Sequence, residues 1–85
     1  MTTAQRTSPT SILVTRTDGA TFTITGKATC AKPIVVAWER DITWPATETR
    51  FVAQATKDRA NAEKWVRTLQ GNSYDRGYEI VTVTD

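Results

Sequence analysis

Apolar residues alternate with threonine in two short runs, stand unbroken in a third, and recur at helical spacing in one longer segment. Residues 11–17, SILVTRT, and 21–26, TFTITG, flank Asp18-Gly19-Ala20, which is the signature of a β-hairpin. A two-residue turn would pair Leu13 with Ile24 and leave Ile12 and Val14 on the opposite side. A three-residue turn with Gly19 left-handed pairs Val14 with Phe22 and Ile12 with Ile24, gathering four large apolar residues on one face. The second register is expected, because burial of one face specifies register.

Residues 33–40, PIVVAWER, predict a third strand, apolar without alternation from Ile34 to Trp38 and so covered on both faces. TRFVAQA, residues 49–55, predicts a fourth with Phe51, Ala53 and Ala55 on one side. In KDRANAEKWVRTLQ, residues 57–70, Ala62, Trp65, Val66 and Leu69 fall at i, i+3, i+4 and i+7 and predict an amphipathic helix. Thr56 or Asp58 would cap its start, and Gly71 stands where a left-handed residue commonly follows a helix. Arg59–Glu63 and Glu63–Arg67 have the spacing of ion pairs along a helix. After NSYDRG, the run YEIVTVT predicts the last strand. GKATCAK reads as a loop, and the polar, aperiodic residues 1–10 read as a flexible tail ahead of one domain over 11–85.

The expected fold is therefore α+β: a five-stranded, mainly antiparallel sheet in the order ββββαβ, with one helix packed on one face. A helix ~10 Å across shields about two strands spaced ~4.8 Å apart, so part of such a sheet needs other cover. On the face away from the helix, the pattern leaves Leu13, Val35, Ala37 and Val52, with Ile80 a possible addition, as a row for a protein partner or a second copy of the chain.

Composition narrows the chemistry. Eighty-five residues make one small domain, and no apolar run approaches the ~18 residues of a membrane span. The polar start, MTTAQRTSPT, lacks the apolar stretch of a secretory signal, and Cys30 is the only cysteine, so a cytoplasmic protein without internal disulfides is expected. The chain has no histidine, which removes the commonest general base, the histidine-assisted nucleophiles and most transition-metal sites. Cys30, between Lys27 and Lys32, reads as an inert loop thiol. Glu39 and Asp41, two apart near a strand end, read as salt-bridge partners of Arg40 or Arg50 rather than as an acid/base pair. GKAT at 26–29 lacks both the glycine five positions earlier and the hydroxyl residue after the lysine that a phosphate-binding loop requires. No catalytic residue, cofactor or metal ion is expected.

Two surfaces remain. Lys57, Arg59, Lys64 and Arg67 lie outside the apolar stripe of the helix and form a candidate nucleic-acid interface, although the net charge of only +2 argues weakly for one. Trp44, next to Pro45 in the aperiodic stretch DITWPATETR, either plugs the uncovered part of the sheet or stands as an anchor for a partner. FVAQATKDRANAEKWVRTL followed by GYEIVTV resembles one strand-helix-strand half of a SPOR peptidoglycan-binding domain over about 35 residues. The other half of that family should also contain a helix where residues 11–41 read as strands, so no glycan site is carried over. The expected function is a small non-catalytic protein-protein binding module, as a homodimer or with another protein, working through Trp44 and the row Leu13, Val35, Ala37 and Val52. Short stand-alone chains of this accessory, inhibitor or adaptor kind are common in phages and mobile elements. Nucleic-acid binding through the helix is the alternative.

Overall fold

The computed structural model describes residues 2–41, 48–71 and 75–85. Within them the chain runs β1 (Thr3–Ser8), β2 (Ser11–Thr15), β3 (Thr21–Thr25), α1 (Lys27–Cys30), β4 (Ile34–Asp41), β5 (Thr49–Thr56), α2 (Arg59–Leu69) and β6 (Asp75–Thr84). The six strands form one sheet in the order β3-β2-β1-β6-β4-β5. Every neighbouring pair is antiparallel except β1 and β6, which run parallel and pair Ala4 with Val83 and Gln5 with Thr84. The sheet curls until β3 lies beside β5, giving a mixed, nearly barrel-shaped sheet with two helices.

This corrects the expected five-stranded, mainly antiparallel sheet with one helix. The sixth strand comes from the segment that reads as a tail. In β1 the outward residues Thr3, Gln5 and Thr7 are polar and exposed, and the inward ones begin with Ala4, only 1 % exposed. A strand whose buried face opens on one alanine carries almost no hydrophobic period, which is why it is hidden in the sequence. Arg6 continues that face and ties it to its surroundings: its Nε donates to the carbonyl of Cys30 at 2.8 Å, and its guanidinium pairs with Asp85. The second helix, α1, is a single turn within the expected loop GKATCAK, entered through Gly26 at φ 113.

Other expectations hold. The hairpin takes the second register, Ile12 opposite Ile24 and Val14 opposite Phe22, with Gly19 at φ 93. Asp58 caps α2, its side chain accepting from the Asn61 amide at 2.7 Å. At the other end of α2 the chain leaves through Gln70 in right-handed helical geometry, and Gly71 is not left-handed. The two ion pairs expected along α2 do not form among the described residues, where Glu63, Arg59 and Arg67 are exposed.

Two apolar clusters share the central strands. Ile12, Val14, Ile24, Cys30, Val35, Ala37, Ala53 and Ala55 fill the inside of the curled sheet with Ala4. Ile34, Val36 and Trp38 point out of the same strand, β4, and lie under Ala62, Trp65, Val66 and Leu69 of α2. The unbroken apolar run of β4 thus has the two covers it requires, one supplied by the curling of the sheet and the other by the helix. Curling also resolves the shortage of cover: the half of the sheet that α2 cannot reach shields itself.

Ala4 offers a direct check on β1. Ala4→Asp would place an uncompensated carboxylate inside the sheet and should cost about 3 kcal/mol or more, a large part of the stability of so small a domain, read as a lowered urea midpoint. An unchanged midpoint would return residues 3–8 to a tail.

Candidate functional site

Three aromatic side chains meet on the outer face of β4, one each from β4, α2 and β6. Trp38 stands at their centre, its ring 5.4 Å from Trp65 in an edge-to-face contact and 6.1 Å from Tyr78 in a stacked one. A bulge brings Tyr78 there: between Ala37 and Glu39 the pairing of β4 with β6 slips by one residue, with Gly77 at φ 72. Asp75 fixes the row. Its buried carboxylate accepts from Trp38 Nε1 at 2.9 Å and from Arg40 Nε at 2.7 Å. The hydrogen bond and charge of Arg40 hold the Asp75 carboxyl below the usual carboxylate range, assisted by the indole, against the opposing effect of burial. Burial pushes the Tyr78 phenol up, and its buried hydroxyl has no hydrogen-bond partner among the described residues.

The free side of Trp65 lines a groove of about 360 Å³ between β5 and α2. Asn61, Lys64, Trp65 and Thr68 form one helical stripe along this groove, at i, i+3, i+4 and i+7, on the flank of α2 beside its buried stripe. Gln54 and Thr56 of β5 face them, and Lys32 closes the groove from the segment after α1.

Basic residues divide into those held in ion pairs and those left exposed. Of the eleven basic residues, Arg6, Arg16, Arg40 and Arg76 are held in ion pairs. The other seven, Lys27, Lys32, Arg50, Lys57, Arg59, Lys64 and Arg67, are all exposed and have no ion pair among the described residues. They belong to α1, β5, α2 and the segments adjoining them, and both helices pack against β5. These segments hold seven cations against three carboxylates (Glu48, Asp58 and Glu63), a surplus of four, and the Arg6–Asp85 ion pair lies beside them through the bonds of Arg6 to the carbonyls of Cys30 and Lys32. The rest holds four cations against six carboxylates, a deficit of two, and the difference is the net +2.

The paired arginines stitch one mouth of the curled sheet. Arg16 clamps Asp18 with two bonds of 2.9 and 2.6 Å, pairs with Glu39, and lies over the Phe51 ring at 5.0 Å. Its guanidinium, with the Ala20 amide, draws the Asp18 carboxyl down to about 2. Arg76 bonds both oxygens of Asp41 at 2.7 Å and approaches Glu39 at 3.8 Å. Glu39 and Asp41 are thus salt-bridge partners as expected, but of Arg16 and Arg76, which are distant in sequence, rather than of Arg40 or Arg50. With every carboxylate of this mouth paired to an arginine, the cluster reads as structural.

The structure disperses the expected apolar row. Val35 and Ala37 are buried inside the sheet, Val52 packs in the cluster under α2 with Ile80, and only Leu13, 36 % exposed, faces outward from β2. Trp44 lies outside the described residues. The expected basic set is divided as well: Lys64 lines the groove, whereas Arg59 and Arg67 project from the opposite flank of α2 with Glu63 between them, and Lys57 is exposed ahead of the helix. Asn61 and Thr68, which lie among the basic residues of the helix in the sequence pattern, line the groove, whereas Lys32 and Gln54 were not legible as site residues, because only the packing of β5 against α2 brings them there. Cys30 is fully buried and donates to the Ile24 carbonyl at 3.3 Å, so its thiol is a core group rather than a loop one. Among the described residues no group of three or more potential ligands could hold a metal ion, and no helix is long and apolar enough to cross a membrane.

Compared with models of known families, with curated proteins and with solved structures, the chain matches none. The strand-helix-strand order of β5, α2 and β6 is present, with β4 between the two strands in the sheet, and it carries no family assignment.

Asp75 generates a pH prediction. A carboxylate whose folded pKa is lowered stabilises the fold above its unfolded value, near 4, and this contribution is lost as pH falls through the folded value. Asp75→Asn should therefore cost about 1–2 kcal/mol at pH 7, moderated by the half-exposed Arg40, and the gap from the parent should narrow below pH 4. Urea melts of both proteins across pH 2–7 check this; a gap independent of pH would remove the charge of Asp75 from the account.

Proposed function

We propose that the protein is a non-catalytic nucleic-acid-binding module of the cytoplasm that works through the α1, β5 and α2 side. The observation that carries this reading is the polar groove between β5 and α2, which Lys32 and Lys64 line, both exposed and without an ion pair among the described residues, with five further exposed cations on α1, β5, α2 and the adjoining segments. Phosphate binding needs such a surface, because affinity comes from releasing the counterions condensed on the nucleic acid. A modest net charge does not oppose it, since what a polyanion meets is the local set of cations around the groove. The lone buried cysteine fits a reducing compartment. Binding of a protein partner through the row Leu13, Val35, Ala37 and Val52 has no comparable support, because those four residues share no exposed face.

Affinity for a fluorescein-labelled single-stranded oligonucleotide, measured by anisotropy, should fall about twenty- to fiftyfold between 50 and 200 mM salt, as about three or four phosphate contacts imply. Lys32→Glu with Lys64→Glu should weaken binding and flatten this slope while leaving the fold intact. Affinity indifferent to salt, or no binding at 50 mM, contradicts the proposal. A dimer that dissociates on Trp44→Ala, with no oligonucleotide binding, would move the working surface to that loop.

A further inference from the structure

We propose that the groove between β5 and α2 is a single-strand site, in which a base stacks on Trp65 while the phosphates on either side meet Lys32 and Lys64. This rests on the nucleic-acid reading above and narrows it to one class of ligand. The helical spacing of Trp65 assigns it wholly to the core, yet it is only half-buried: Trp38 packs against it, and the remainder is a wall of the groove. An aromatic side chain between exposed cations is the arrangement by which single strands are held, because any base has a face that stacks and any sequence has the same backbone charge. Duplex DNA cannot use it, since its bases are already stacked on each other and present only their edges.

The surroundings of Trp65 fit the same ligand. The amides of Gln54 and Asn61 and the hydroxyls of Thr56 and Thr68 line the groove and offer both donors and acceptors to a base edge. Thr68 is partly engaged, its hydroxyl donating to the Lys64 carbonyl at 3.1 Å, which holds this flank of the helix in place. Trp65 itself is backed by the row Trp38 and Tyr78, and Trp38 is fixed by Asp75, so the indole is oriented before any ligand arrives. Asp75 is in this sense a positioning residue.

Three labelled ligands of comparable length, a ten-residue oligothymidylate, an abasic strand of the same charge and a ten-base-pair duplex, test the proposal by anisotropy at one salt concentration. The oligothymidylate should bind about tenfold or more tighter than the abasic strand, and tighter than the duplex. Trp65→Leu, which keeps apolar bulk, should erase the preference for bases and preserve the salt slope; because Trp65 also packs against Trp38, the comparison of ligands on the unaltered protein stands as the primary readout. Equal affinity for the abasic strand, or tighter binding of the duplex, overturns the stacking site while leaving the cationic surface standing. A ten-residue glutamate peptide bound as tightly as the oligothymidylate would overturn it in favour of an acidic protein. Absence of salt-dependent binding to all of them removes the broader reading as well.

Discussion

The placement of β6 between β1 and β4 is the constraint on which the rest of the structure depends. β6 is the last strand of the chain, and it joins the hairpin side, β3-β2-β1, to the pair β4-β5. Its link to β1 is short: two residue pairs, the Thr84 hydroxyl on the Ala4 carbonyl at 3.1 Å, and the buried side chain of Ala4 below them. Without that junction the sheet would fall into two antiparallel pieces, neither with enough strands to enclose the apolar residues it carries. With it, the sheet closes far enough to bury Val35 and Ala37 between its two halves, and the other face of β4 is left for α2.

The candidate site inherits its geometry from this arrangement. α2 packs on Ile34, Val36 and Trp38 because those residues point away from the inside of the sheet. Docked there, it turns its stripe Asn61, Lys64, Trp65 and Thr68 toward β5, the strand at the edge of the order. The bulge at Gly77 and the buried Asp75 then set the aromatic row that ends at the groove. Arg16 and Arg76 are taken up by Asp18, Glu39 and Asp41 across the mouth, and the cations without an ion pair among the described residues belong to α1, β5, α2 and the segments adjoining them.

How much of this was legible in the sequence follows from where the signals are local. The register of the β2–β3 hairpin, the double cover of β4 and the apolar stripe and N-cap of α2 are written in neighbouring residues and were read correctly. β1 was missed because its buried face opens on one alanine and an arginine, which offers no period. The single turn of α1 is too short for one. The parallel pairing of the first strand with the last is a tertiary fact, and without it Val35 and Ala37 look exposed; Val52 joins them in the sequence pattern only because nothing local shows that the β4–β5 register sets it opposite Trp38, on the α2 face. The groove needs Lys32, Gln54 and Lys64 together, three residues from three segments, while Trp65 carries two roles of which spacing reports only the buried one.

The central claim, that residues 3–8 are a structural strand whose pairing with β6 closes the sheet, is tested most directly by backbone amide hydrogen exchange resolved residue by residue. Amides that β1 engages with β2 and β6 should exchange slowly, with protection approaching that of β4, because opening them requires opening the closed sheet. Exchange across residues 3–8 at the rate of an unfolded peptide, with β2 to β6 still protected, would contradict it and leave an open sheet with no inner face for β4.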